Sequence, residues 1–130
     1  MFETPKPYEV IVLADSVCNG TRLITFCATV PRILLAEINT HRMLTRNSAS
    51  SRAIPVATRI KQIEESPYVP IRFGKNKSGM QARIESVDDP AYAEALWRDA
   101  AHAATTHAAA LAKSKLHKQW ANRVAEPYAW

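Results

Sequence analysis

Tyr8-Glu9-Val10-Ile11-Val12-Leu13-Ala14, then Asn19-Gly20, then Arg22-Leu23-Ile24-Thr25-Phe26-Cys27-Ala28-Thr29-Val30: the reading of this stretch decides the fold. The first segment is short and rich in β-branched residues, which predicts a buried strand. Asn-Gly is a strong turn signal. In the segment after it, Ile24, Phe26, Ala28 and Val30 share one face, while Thr25, Cys27 and Thr29 share the other. The two segments suit a hairpin, although the sequence does not fix their pairing. Downstream the pattern turns helical. Pro31 suits a first helical turn, and the apolar run Ile33-Leu34-Leu35-Ala36-Glu37-Ile38 predicts a buried helix reaching about Met43. Residues 56–65 read as a short amphipathic helix, broken by Ser66-Pro67-Tyr68-Val69-Pro70. Asp88-Asp89-Pro90 is a helix start with acidic caps and an early proline. Residues 90–113 are rich in alanine, a strong helix former. A second helix, or a continuation past Ser114, carries Lys115 to Arg123 and stops at Glu126-Pro127. The fold class is α+β: an N-terminal β-hairpin or small antiparallel sheet packed with several helices. A two-stranded sheet is marginal alone. It needs those helices, a missing C-terminal segment, or strands from other subunits.

With 130 residues the chain predicts a single domain over 1–130. At 47% hydrophobic and 22% charged it is neither disordered nor fibrous. No apolar stretch is long enough to cross a bilayer. The start Met1-Phe2-Glu3-Thr4-Pro5-Lys6-Pro7 lacks the basic-then-apolar order of a signal peptide. Cys18 and Cys27 have no redox or metal spacing, so reduced structural thiols in a cytoplasmic protein are expected. The net charge of +5 suits an anionic partner without choosing among nucleotide, nucleic acid and membrane surface.

The chemistry is concentrated in His41-Arg42-Met43-Leu44-Thr45-Arg46-Asn47-Ser48-Ala49-Ser50-Ser51-Arg52. His41 and Arg42, at a helix end, can meet a ligand phosphate or an isoalloxazine edge. Capping of the helix by Arg42 is the reading that composition alone favours. Closely spaced hydroxyls with a guanidinium form a phosphate-binding constellation. Its continuity with His41-Arg42 sets this loop apart from an ordinary polar one. Elsewhere the chemistry is thin. His102 and His107 are five apart and do not share a helix face as a metal pair would. Lys75, Lys77 and Arg83 suit either an acidic ligand or a solvated loop. Lys113, Lys115, Lys118 and Arg123 complement a helix end. Asp88, Asp89, Glu94 and Asp99 read as surface charges, and Trp97 and Trp120 as core or interface aromatics. There is no phosphate-cradling loop and no dinucleotide fingerprint. A basic nucleic-acid-binding domain is disfavoured, because no aromatic-basic platform is visible.

The pattern His-Arg-x-x-Thr-x-Asn-x-x-Ser-x-Arg from His41 to Arg52 resembles the signature of the flavin-dependent thymidylate synthases. The family form is Arg-His-Arg-x-x-Ser-x-Asn-x-x-Ser-x-Arg. Ser50 to Pro55 and Gly74 to Ala82 look like the phage-type branch. Asn122-Arg123-Val124-Ala125-Glu126-Pro127 resembles the helix end that carries a substrate-binding arginine. The resemblance spans most of residues 22–130. It implies reductive methylation of dUMP to dTMP by FAD, NADPH and methylenetetrahydrofolate, in a homotetramer in the cytoplasm of a cell or of a phage-infected host. No enzyme cysteine attacks the uracil ring in that chemistry, and no catalytic residue is assigned here. Thr40, His41, Arg42 and Asn47 would contact FAD. Glu37, Ser48, Ser50, Ser51, Arg52 and Arg123 would contact dUMP, Arg123 reaching it from a neighbouring subunit.

The departures from the family pattern are specific. Thr40 replaces the first arginine of the signature, Thr45 replaces serine, Ser48 replaces glutamate and Ala53 replaces tyrosine; Glu37 stands where the family often has glutamine. The family's chain also continues beyond the position of Trp130. The 130 residues are therefore expected to be the N-terminal portion of such a synthase: a fragment, a truncated gene product or half of a split enzyme. The apolar end Pro127-Tyr128-Ala129-Trp130 favours a cut through a folded domain. The competing reading is a catalytically silent remnant, or a partner subunit, that binds nucleotide or flavin through the same loop.

Overall fold

The computed structural model describes residues 4–79 and 85–130. It has the α+β class expected from the sequence. The two strands β1 (Val10–Cys18) and β2 (Thr21–Ala28) form an antiparallel hairpin. Its turn residues Asn19 and Gly20 both have positive φ, 48° and 77°. Asn and Gly tolerate that region, and it matches the right-handed twist of the flanking strands. The strands run closer to the turn than expected, so β1 ends at Cys18. Val10 pairs with Ala28 and Val12 with Phe26, but Ala14 pairs with Thr25. The shift marks a one-residue bulge at Leu13. The resulting register puts Val10, Val12, Val17, Ile24 and Phe26 on one face. All five are exposed, between 44% and 68%. The expectation of a buried first strand is therefore corrected: none of the described residues covers this face.

After Pro31 comes a 3-10 turn at Arg32–Leu34, then the short helix α1 (Leu35–Asn39). The expected long buried helix is a correction too. It stops at Asn39, and Ile33 and Leu34 are 43% and 40% exposed. Arg46 ends it, by donating to the carbonyls of Asn39 (2.6 Å) and His41 (2.5 Å). The capping role considered for Arg42 thus falls to Arg46, four residues on. Three helices make the body: α2 (Val56–Glu65), α3 (Pro90–Lys113) and α4 (Lys118–Ala125). The first two match expectation. Asp89 caps α3 by accepting from the Tyr92 amide at 2.9 Å. The last basic stretch divides: α3 ends at Lys113, Lys115 sits in the turn, and α4 starts anew at Lys118.

The core is small-residue packing. Ile63 of α2, Ala104 and Ala108 of α3, Ala125 of α4 and Ala129 are buried together, with Val56, Ile60 and Tyr128 against them. Alanines let three helices approach closely, and their alanine-rich faces also favour helix. An edge-to-face chain of aromatics closes one end: Tyr8–Trp130 (4.7 Å), Trp130–Tyr68 (5.4 Å), Tyr68–Trp97 (6.2 Å) and Trp97–Tyr128 (5.5 Å). The Trp97 indole donates to the Tyr68 carbonyl at 2.7 Å. Burial pushes the Tyr68 hydroxyl above its ordinary pKa. These contacts join the hairpin's base, the 67–70 segment and α3 to the residues after α4.

Candidate functional site

α4 grips the loop that carries the hydroxyls and the guanidinium. Asn122, completely buried, donates through Nδ2 to the Ser51 and Ile54 carbonyls, both at 2.9 Å. The Ser51 hydroxyl donates to Glu126, whose Oε1 also accepts from Arg32 Nε at 3.1 Å. Arg32 Nη1 reaches the Ala49 carbonyl at 2.8 Å. Arg52 Nε donates to Gln119 Oε1 at 2.6 Å. Gln119, Asn122 and Glu126 are spaced i, i+3, i+7, so one stripe of α4 and the residue that caps its C-terminus hold the loop.

The stripe's edge opens into a cleft of about 340 Å³ lined by Arg52, His117, Lys118, Gln119 and Trp120. Trp120 is 53% exposed, and the Arg123 guanidinium lies 5.1 Å from its ring centre. His117 Nδ1 accepts from the Gln119 amide at 3.2 Å, which caps α4 and fixes one wall. Two guanidiniums, an ammonium and an aromatic face, all reachable by solvent, form an arrangement that can take a phosphate and stack a planar ring.

The sequence-derived residues therefore separate into groups. Arg52 lines this cleft, and Arg123, 71 positions on in the chain, lies over the ring of Trp120, which lines it too. Ser51 is buried and its hydroxyl is spent on Glu126, so it shapes the loop rather than facing ligand. Ser50 is exposed, and its hydroxyl accepts from the Arg52 amide at 3.3 Å. Ser48 lines a different cavity altogether, together with Arg32 and Arg59. Thr40 and His41 turn back onto the Glu37 carbonyl, at 2.7 and 3.1 Å. Arg42, Asn47 and the Glu37 side chain are exposed. Lys75 and Lys77 pair with Asp88 (3.0 Å) and Glu85 (2.8 Å) on the exposed surface. Arg83 and Met80 to Ala82 lie outside the described residues.

Sequence reasoning missed three things here. The gripping roles of Gln119, Asn122 and Glu126 follow from their spacing once α4 is placed. Trp120 was expected in the core or an interface, and half of it faces water. Arg59 is buried on α2; burial first, and then the charge of Arg32, push its guanidinium below the ordinary value, while Glu126 pulls the other way.

Comparison with protein families, with curated proteins and with solved structures gives no match. Among the described residues, no helix is long and apolar enough to cross a membrane.

Proposed function

We propose that the chain binds dUMP at the Arg52 cleft as the N-terminal portion of a flavin-dependent thymidylate synthase, which methylates dUMP reductively to dTMP. The observation that carries the reading is the Arg52–Gln119 bond beside exposed Trp120 and Arg123. It brings together the two stretches on which the resemblance rests. In this reading Arg52 and Lys118 hold the nucleotide phosphate, and Trp120 offers its face to the base. Ser51, through Glu126, fixes the loop; Ser50 positions the Arg52 amide.

FAD, when bound, supplies the reducing equivalents that it receives from NADPH, and methylenetetrahydrofolate supplies the carbon. Arg42 and Asn47, both exposed with donors available, fit a diphosphate-bearing flavin; Thr40 and His41 would have to leave the Glu37 carbonyl to join them. The uncovered hairpin face supports assembly as a homo-oligomer, a tetramer by the resemblance. The test is the visible spectrum of the purified chain with FAD, before and after dUMP. A protein-bound flavin band that shifts with dUMP supports the synthase reading; a shift of dUMP-dependent signals with no bound flavin leads to the second one. That second reading, a silent remnant or partner subunit that binds nucleotide, is favoured by Thr40, which puts no charge where the family signature carries an arginine.

A further inference from the structure

A short chain of contacts joins the start of α4 to the guanidinium of Arg52. His117 is the N-cap of α4, with φ −56° and ψ 133°, and its Nδ1 accepts from the Gln119 amide at 3.2 Å. The side chain of the same Gln119 accepts from Arg52 Nε at 2.6 Å. His117, Gln119 and Arg52 all line the one cleft.

Most helix caps are hydroxyls, amides or carboxylates, which offer an acceptor at any pH near neutrality. An imidazole caps only through the lone pair of a ring nitrogen. The bond at Nδ1 therefore places the ring proton on Nε2 and requires the neutral ring. A second proton takes that same lone pair. It turns the acceptor into a donor against the Gln119 amide and puts a cation at a helix N-terminus, where cations are disfavoured. His117 is exposed, so water delivers the proton freely. The charged groups about it are Arg52 across the cleft, Lys118 beside it on α4, Lys113 at the end of α3 and Lys115 in the turn. Lysine and arginine keep their charge between about pH 5 and 8, and no carboxylate lines the cleft among the described residues. His117 is thus the group at this cleft whose charge changes in that range. We propose that neutral His117 is a positioning residue for Arg52: it holds Gln119 through the α4 cap, and its protonation releases Gln119 and with it the guanidinium. The consequence for dUMP rests on the nucleotide reading of the cleft; the coupling of His117 to Arg52 does not.

The experiment follows the Arg52 Nε nitrogen shift and the His117 ring resonances by NMR from about pH 8 to about pH 5, with dUMP affinity measured at both ends. The parent, His117→Asn and His117→Ala are compared. In the parent, Arg52 Nε is expected to titrate with the His117 midpoint. His117→Asn, a cap that needs no particular pH, should hold Arg52 Nε flat. His117→Ala, with neither cap nor charge, should show at pH 8 the Arg52 Nε shift that the parent reaches only at pH 5; this separates loss of the cap from the mere field of a new charge. Affinity for dUMP should fall with acid by roughly threefold to tenfold more in the parent than in His117→Asn, the range that a lost cap spans. An Arg52 Nε shift that ignores the His117 titration would overturn the proposal. So would a pH response that survives in His117→Asn, or an Arg52 Nε in His117→Ala that matches the parent at pH 8. A coupled titration with no dUMP binding at either pH would support the positioning role and count against the nucleotide reading alone.

Discussion

Asn122 is the residue on which the Arg52 loop depends. Its side chain is fully buried and satisfies two carbonyls from residues about 70 positions earlier. Asn122→Ala would leave both acceptors unpaired inside the protein. Unsatisfied buried groups cost about 1–3 kcal/mol each where water cannot reach them. We expect the variant to lose about 2–3 kcal/mol in urea unfolding and to bind dUMP more weakly, because Arg52 loses its frame; unchanged stability would mean that the loop is held otherwise. Asp89 acts more locally. It caps α3 through the Tyr92 amide, and Asp89→Ala should cost about 1 kcal/mol by the same measurement. Individual residues also show where sequence reading reached. The cap at Asp89 was legible, because an acidic residue before proline has one common use. Arg59 was not, because an arginine in an amphipathic helix pattern gives no sign that it points inward.

At the scale of elements, helix length and helix ends had different legibility. α2 and α3 were readable because their apolar spacing and alanine content are local properties. α1 was not: the run Ile33–Ile38 is apolar, but the described residues leave Ile33 and Leu34 exposed, and the helix stops after five residues. The turn between α3 and α4 holds a testable strain. Lys115 has φ of 64°, and the Leu116 amide reaches back to the Leu111 carbonyl at 3.1 Å. This left-handed stop is the position where glycine is preferred, since a Cβ there costs about 1 kcal/mol. Lys115→Gly should therefore stabilise the chain by roughly 0.5–1 kcal/mol; a loss of stability would show that the lysine side chain contributes more than its strain. In the hairpin, the Arg22 guanidinium beside Asp15 holds that carboxyl below its ordinary value of 3.8. A depressed carboxyl stabilises above its unfolded pKa and loses that contribution as pH falls through the folded one. Amide shifts next to Asp15 and Arg22 followed by NMR should thus titrate as the pH falls below about 4, where the pair is lost; shifts that stay flat there would show that the pair does not form in solution.

For the whole molecule, the hairpin face and the Arg52 cleft make separate demands. Five large apolar side chains on one face of a two-stranded sheet exceed what an isolated hairpin holds in water. On the proposed homo-oligomeric reading, Val12→Lys with Phe26→Lys should give a monomer by sedimentation while the parent sediments as a larger species; a monomeric parent would remove this support. The sequence showed that a sheet this small needs a cover, but pairing and register come from contacts far apart in the chain, and periodicity does not record them. The same holds for the cleft: the loop and the last helix were each noticed, and only the fold puts Arg52 on Gln119. The most direct test is calorimetric titration of dUMP into the parent chain and into Arg52→Ala. The account predicts saturable binding to the parent and a loss of roughly tenfold or more in the variant, as expected when a charged hydrogen-bond partner is removed. Equal affinity in the two would contradict it.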